Sequence, residues 1–141
     1  MPAALQFEIV TPERLVAQGT AEEIQIPGKN GYLGILAGHA PLITELSVGE
    51  ISYRANGYTE RLAVAWGFAE VLPDKVTILA QTAERAEDID TARALNAKDR
   101  AEQQLKDGGP DVDYPKVLND LQRAEVRLKV ASEARSKPQS K

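Results

Sequence analysis

Over the first 84 residues the apolar positions follow a period of two. Leu5, Phe7 and Ile9 alternate with Gln6, Glu8 and Val10, as in a half-buried strand. Glu22, Glu23, Ile24, Gln25 and Ile26 run into Pro27-Gly28, a strand meeting a breaker. Ile51, Ser52, Tyr53 and Arg54 lead to Asn56-Gly57, and an apolar run from Tyr58 to Ala65 follows. Asn-Gly between two such runs is a hairpin signal, because both residues tolerate the positive φ of a type I′ turn. Pro73-Asp74 separates two further strands, at 67–72 and 75–79. The pattern predicts roughly eight to ten short strands at sandwich or flattened-barrel spacing.

From Ala86 the period changes. Glu87, Asp88, Ile89 and Asp90 form an acidic helix start, which the helix dipole favours. The alanine-rich stretch 89–106 contains neither Gly nor Pro, and Gly108-Gly109-Pro110 ends it. Asp113 caps a second predicted helix, with Pro115 in its first turn. Tyr114, Val117, Leu121, Ala124, Leu128 and Ala131 form a narrow apolar seam, and Ala94, Ala97, Ala101 and Leu105 form its partner. The fold class predicted is α+β: an antiparallel β-sandwich over 1–84, then an antiparallel two-helix hairpin over 85–141 that ends in a polar tail at 136–141. An alanine seam buries little area, so the hairpin needs a docking surface or a ligand to hold one position.

Composition narrows the function. The 141 residues are 43% apolar and 27% charged, as in ordinary globular domains. No apolar run is long enough to span a membrane, and the N-terminus has no signal-peptide pattern. A net charge of −4 argues against general nucleic-acid binding. The charge is uneven: residues 1–84 carry 5 basic and 10 acidic groups, a net of −5, and residues 85–141 carry 12 and 11, a net of +1. Cysteine is absent, which excludes disulfides and thiolate metal sites.

Catalytic chemistry is hard to assemble from this inventory. His39 is the single histidine, and there is no G-x-S-x-G motif. Gly28-Lys29 is followed by Asn30 rather than Ser or Thr, so it is not a phosphate loop. Trp66 and Phe68 read as core or interface anchors. Two clusters remain. The glycine-broken apolar run 31–44 is either a tight corner of the sandwich or an exposed rim for a protein partner. Arg93 and Arg100 share one helix face, and Arg123 and Arg127 share another. In an antiparallel hairpin the four can converge on phosphate oxygens, or they can be solvated arginines paired with Asp90, Asp99 and Asp120.

The run 31–44, G-Y-L-G-I-L-A-G-H-A-P-L-I-T, resembles the signature of the ATP synthase epsilon-subunit family. The order of sandwich and hairpin, and the Asp111-Val112-Asp113-Tyr114 start of the second helix, are similar to its bacterial members. Two positions depart from that pattern. Tyr32 stands where some members carry an acidic residue, and Ala37 stands where proline is common. The resemblance implies a non-catalytic central-stalk subunit on the cytoplasmic face of the cell membrane, peripheral and without membrane insertion. Its partners would be the gamma subunit and the c-ring, contacted through Tyr32, Gly38, His39, Ala40, Pro41 and Leu42. The extended hairpin would reach the catalytic alpha and beta subunits and block ATP hydrolysis, with Lys116, Arg123, Arg127, Lys129 and Arg135 pairing with acidic loops. No cofactor serves catalysis. A regulatory ATP is implied by the I/L-D-x-x-R-A pattern at Ile89, Asp90, Arg93 and Ala94, with Arg100, Arg123, Arg127 and Glu84 completing the site. The competing classes are a free-standing nucleotide-sensing module and a small β-sandwich enzyme, the latter disfavoured by the missing constellation.

Overall fold

The structure is a computed structural model that describes residues 4–134, so Arg135 and the tail read at 136–141 lie outside the described residues. Eight strands come first: β1 (Leu5–Val10), β2 (Leu15–Ala21), β3 (Glu23–Gly28), β4 (Gly31–Ile35), β5 (Leu42–Leu46), β6 (Gly49–Ala55), β7 (Tyr58–Val71) and β8 (Lys75–Arg85). A 3₁₀ turn at Ala86–Asp88 leads to α1 (Thr91–Asp107) and α2 (Tyr114–Ser132). No helix among the described residues is long and apolar enough to cross a membrane.

All eight strands belong to one hydrogen-bonded sheet that folds over on itself. The long β7–β8 hairpin supplies both layers. Through residues 58–64, β7 pairs with β6, which pairs with β3 and through it β4. Through residues 67–71, β7 pairs instead with β5, while the start of β8 pairs with β1 and through it β2. Pairing is antiparallel except between β1 and β8, which run parallel. Both of these strands contribute to the buried core, where Leu5, Phe7 and Ile9 share one cluster with Val76, Ile78, Ile26, Ile35 and Leu62 among others. The alternation seen in β1 is therefore the alternation of core and solvent.

Trp66-Gly67 is the corner at which β7 passes between layers. Trp66 has φ 59° and Gly67 φ 128°. The buried alternation changes phase there, from Leu62 and Val64 to Ala69 and Val71. β8 changes phase with it, so Val64 still faces Ala83 and Ala69 still faces Ile78. A Cβ on Gly67 would lie 2.0 Å from the Leu79 carbonyl oxygen. The chain approaches its neighbour too closely for any side chain at this position. The other predicted turn, Asn56-Gly57, has φ 53° and 81°, as a type I′ hairpin requires.

The first helix begins later than the acidic run predicts. Ile89 is in extended conformation because its side chain is drawn into a buried contact, so the helix starts only at Thr91. Asp90 caps it, accepting from Arg93 N–H at 3.0 Å. Gly108, with φ 64°, ends α1, and Asp113 caps α2 by accepting from Lys116 N–H at 3.2 Å. The two helices pack through buried Ala94 and Ala101 against buried Val117 and Ala124, while Tyr114 stays exposed.

Helix α2 also has a second contact that the seam does not predict. Val130 is fully buried in a small cluster with Ala63, Ala86 and Ile89, and Val126 and Ala131 pack at its edge. This places the hairpin on the outer face of the β6–β7–β8 layer. Small residues are needed beneath it, and β7 is buried on both faces from Leu62 to Ala65. Charged contacts surround the cluster. Lys129 Nζ donates to Glu50 at 2.8 Å, Arg61 Nε lies 2.8 Å from Glu50, and Arg61 Nη1 donates to the Glu133 carbonyl at 3.1 Å. The hydrogen bond to Glu50 holds the Lys129 ammonium above the ordinary lysine range.

Gly67→Ala is expected to destabilise the sandwich by about 2 kcal/mol or more, from the left-handed φ and the carbonyl clash together. Urea unfolding of the two proteins measures it, and equal midpoints would contradict the corner assignment.

Candidate functional site

Two surfaces carry the candidate residues. The first is a cavity of ≈ 520 Å³ between the hairpin and the sheet. That volume falls within the range of small-molecule sites. Its floor is Ala65 and Thr82 on the strands with Val48 from the β5–β6 bend, and its walls include Ala97, Ala101 and Ala124. Short side chains on both sides leave the space open.

Of the eight residues implied for a nucleotide, Glu84, Arg100, Arg123 and Arg127 line this cavity. The other four do not. Ile89 belongs to the docking cluster and Ala94 to the helix seam. Asp90 is engaged in capping α1, and Arg93 is exposed, one turn before the cavity-lining Ala97. The lining also contains residues that sequence reasoning passed over, chiefly Arg14 on the β1–β2 turn. No motif marks Arg14, because its role is visible only once the hairpin is placed on the sheet.

The ion pairs expected of solvated arginines are mostly missing. Arg127 forms a forked pair with Glu84, Nε to Oε1 at 2.6 Å and Nη2 to Oε2 at 3.2 Å. Asp120 pairs with Lys116 at 3.0 Å rather than with an arginine. Among the described residues, Arg14, Arg100 and Arg123 have no carboxylate within ion-pair distance. Three unpaired guanidiniums around one cavity repel one another, and an oxyanion placed among them would meet forked donors on several sides.

The second surface includes the run 31–44, which turns a corner of the sandwich and leaves part of its apolar surface exposed. Ile35 is in the core, and Leu33 and Leu42 pack against it. Tyr32, Leu36 and Ile43 are exposed, Ile43 at 71%. The Tyr32 hydroxyl accepts from Glu50 N–H at 2.9 Å. Gly38, with φ 88°, donates its N–H to the Pro73 carbonyl at 2.7 Å and so ties the loop to the β7–β8 turn. His39 Nδ1 lies 2.7 Å from the Ala40 carbonyl, so this nitrogen carries the proton. Ala40 and Pro41 are exposed beside it. The apolar surface continues past the motif onto exposed Phe68 and Leu79, paired neighbours on β7 and β8. Trp66 and Phe68 therefore lie outside the core.

Comparison with known proteins places this architecture. The family model for the ATP synthase delta/epsilon chain β-sandwich domain matches residues 4–86, and that for its long α-helix domain matches residues 87–132. The ATP synthase epsilon chain of Koribacter versatilis (strain Ellin345) is 72% identical over 137 residues, 97% of this chain and 96% of the relative. That of Nitratidesulfovibrio vulgaris (strain DP4) is 50% identical over 105 residues, 74% of this chain and 78% of the relative. Among solved structures, a chain of the Euglena gracilis mitochondrial ATP synthase shares the fold with a TM-score of 0.79 at 23% identity, over 94% of this chain and 83% of that one. From the sandwich, the hairpin and these matches together, the chain belongs to the ATP synthase delta/epsilon chain family.

Proposed function

We propose that this chain is a coupling and inhibitory subunit of a proton-translocating ATP synthase, working at the cytoplasmic face of the cell membrane. Family membership makes it a non-catalytic epsilon subunit of the central stalk. The sandwich, residues 1–84, rests on the gamma subunit and the c-ring and passes rotation between them. The hairpin, residues 85–141, regulates hydrolysis. Support for the docking face comes from its exposed apolar side chains Leu36, Ile43, Phe68 and Leu79 on a chain whose solved neighbours are parts of ATP synthases.

The observation that carries the regulatory reading is how little holds the hairpin down. Four buried side chains and a few half-buried ion pairs join it to the sheet. Such a joint contributes on the order of a few kcal/mol. The undocked hairpin is thus accessible, and its basic second helix can reach the catalytic alpha and beta subunits and block hydrolysis. ATP in the arginine-lined cavity binds the docked form alone and draws the population back to it. A free nucleotide-sensing module would share the cavity but would not need the exposed apolar face.

Deleting residues 86–141 is expected to raise ATP hydrolysis by the assembled enzyme several-fold, with rotor assembly intact. Unchanged hydrolysis in a fully assembled truncated enzyme would count against the inhibitory role. Ile43→Arg separates coupling from folding better than a change at Leu42, which packs on the core. It is expected to leave the sandwich folded and to reduce copurification with gamma. Normal copurification of the folded variant would remove Ile43 from the interface.

A further inference from the structure

The cavity has walls from two bodies, the sheet and the hairpin, and its unpaired charge comes from both. Arg100 extends from α1 and Arg123 from α2. Arg14 is the one cation on the sandwich side of the lining. We propose that Arg14 is a further phosphate-binding residue, so that a polyphosphate in this cavity bridges the sandwich to both helices. The proposal rests on the reading of the cavity as a regulatory nucleotide site and adds the sandwich-side contact to it.

The turn that carries Arg14 is built to hold it in place. Thr11 N–H donates to the Arg14 carbonyl at 2.9 Å, and Arg14 N–H donates back to the Thr11 hydroxyl at 3.4 Å. Pro12 restricts the backbone between them. Thr11 is itself nearly buried and lines the cavity alongside Arg14, so the turn sits at the cavity wall rather than away from it. The side chain of Arg14 is exposed and pairs with no carboxylate among the described residues. A packing or ion-pairing role inside the sandwich is thus unassigned to it. Arg127, by contrast, is already neutralised by Glu84. Glu13, next to Arg14, also lines the cavity, so the positive charge offered to a ligand is divided between Arg14 on one side, beside that carboxylate, and Arg100 and Arg123 on the other.

This division has a mechanical consequence. An anion bound only by hairpin arginines would hold the two helices together without fixing them to the sheet. An anion also bound by Arg14 ties the hairpin to the sandwich, which is the contact that undocking must break. The sandwich-side guanidinium converts nucleotide binding into docking.

The test is titration calorimetry of ATP against the full chain, wild type beside Arg14→Ala and Arg14→Lys, with the melting temperature of each measured without nucleotide. Arg14→Ala is expected to weaken ATP binding about tenfold through loss of charge-assisted hydrogen bonds, with Arg14→Lys recovering part of the loss. The nucleotide-free melting temperature should not change. Wild-type binding with unchanged affinity in Arg14→Ala overturns the assignment of Arg14 and leaves the nucleotide site standing. A loss of affinity that follows a lowered nucleotide-free melting temperature and is not relieved by lysine makes Arg14 structural and also overturns it. No binding by the wild type at millimolar ATP overturns both the assignment and the nucleotide reading.

Discussion

Val130 sits against Ala63, Ala86 and Ile89, and this contact governs the rest of the molecule. It is the apolar joint between the hairpin and the sheet, and it is small because the strand surface beneath it is alanine. A larger residue at Ala63 would lift α2 away, and a larger patch would fix it permanently. Ion pairs from Glu50 and Glu84 to Lys129 and Arg127 frame the joint at a half-buried edge and add to it without covering further apolar area. A joint of that strength keeps the docked state populated yet open to competition.

Short side chains next to the joint also create the cavity beside it. Ala65, Ala97, Ala101 and Ala124 leave room where larger residues would have packed the helices onto the sheet. Arg14, Arg100 and Arg123, which have no acidic partner among the described residues, line that space, and their like charges oppose docking. On this account, ligand and docking are linked by mass action. At ~100 times its dissociation constant, a ligand of the docked state adds about 2.7 kcal/mol, comparable to the joint itself. On the proposed reading this would shift the balance toward the docked hairpin about a hundredfold.

Much of the fold was legible in the chain. The alternation at Leu5, Phe7 and Ile9, the Asn56-Gly57 turn and the Asp113 cap are local signals, and the structure shows each where its chemistry requires it. The parallel pairing of β1 with β8 was not legible, because no local pattern reports which distant strand becomes a neighbour. Nor was the phase change at Trp66-Gly67, where sheet closure overrides alternation. At the cavity, spacing brought Arg100, Arg123 and Arg127 to one place, since helix periodicity and a hairpin suffice for that. It missed Arg14, whose proximity depends on the docking of one body on another. Spacing also grouped Arg93 with those three, and the family resemblance added Asp90, whereas Asp90 caps α1 and Arg93 is not among the residues lining the cavity.

The central claim is that a weak joint is held closed by a ligand in the cavity. Backbone hydrogen exchange across α2 in the full chain, with and without saturating ATP, tests it most directly. The account predicts moderate protection around Val126 to Val130 without nucleotide and a clear slowing of exchange with it, while the buried strands β1 and β8 stay unchanged. Equal exchange across α2 in the two conditions, with ATP shown to be bound, would contradict it.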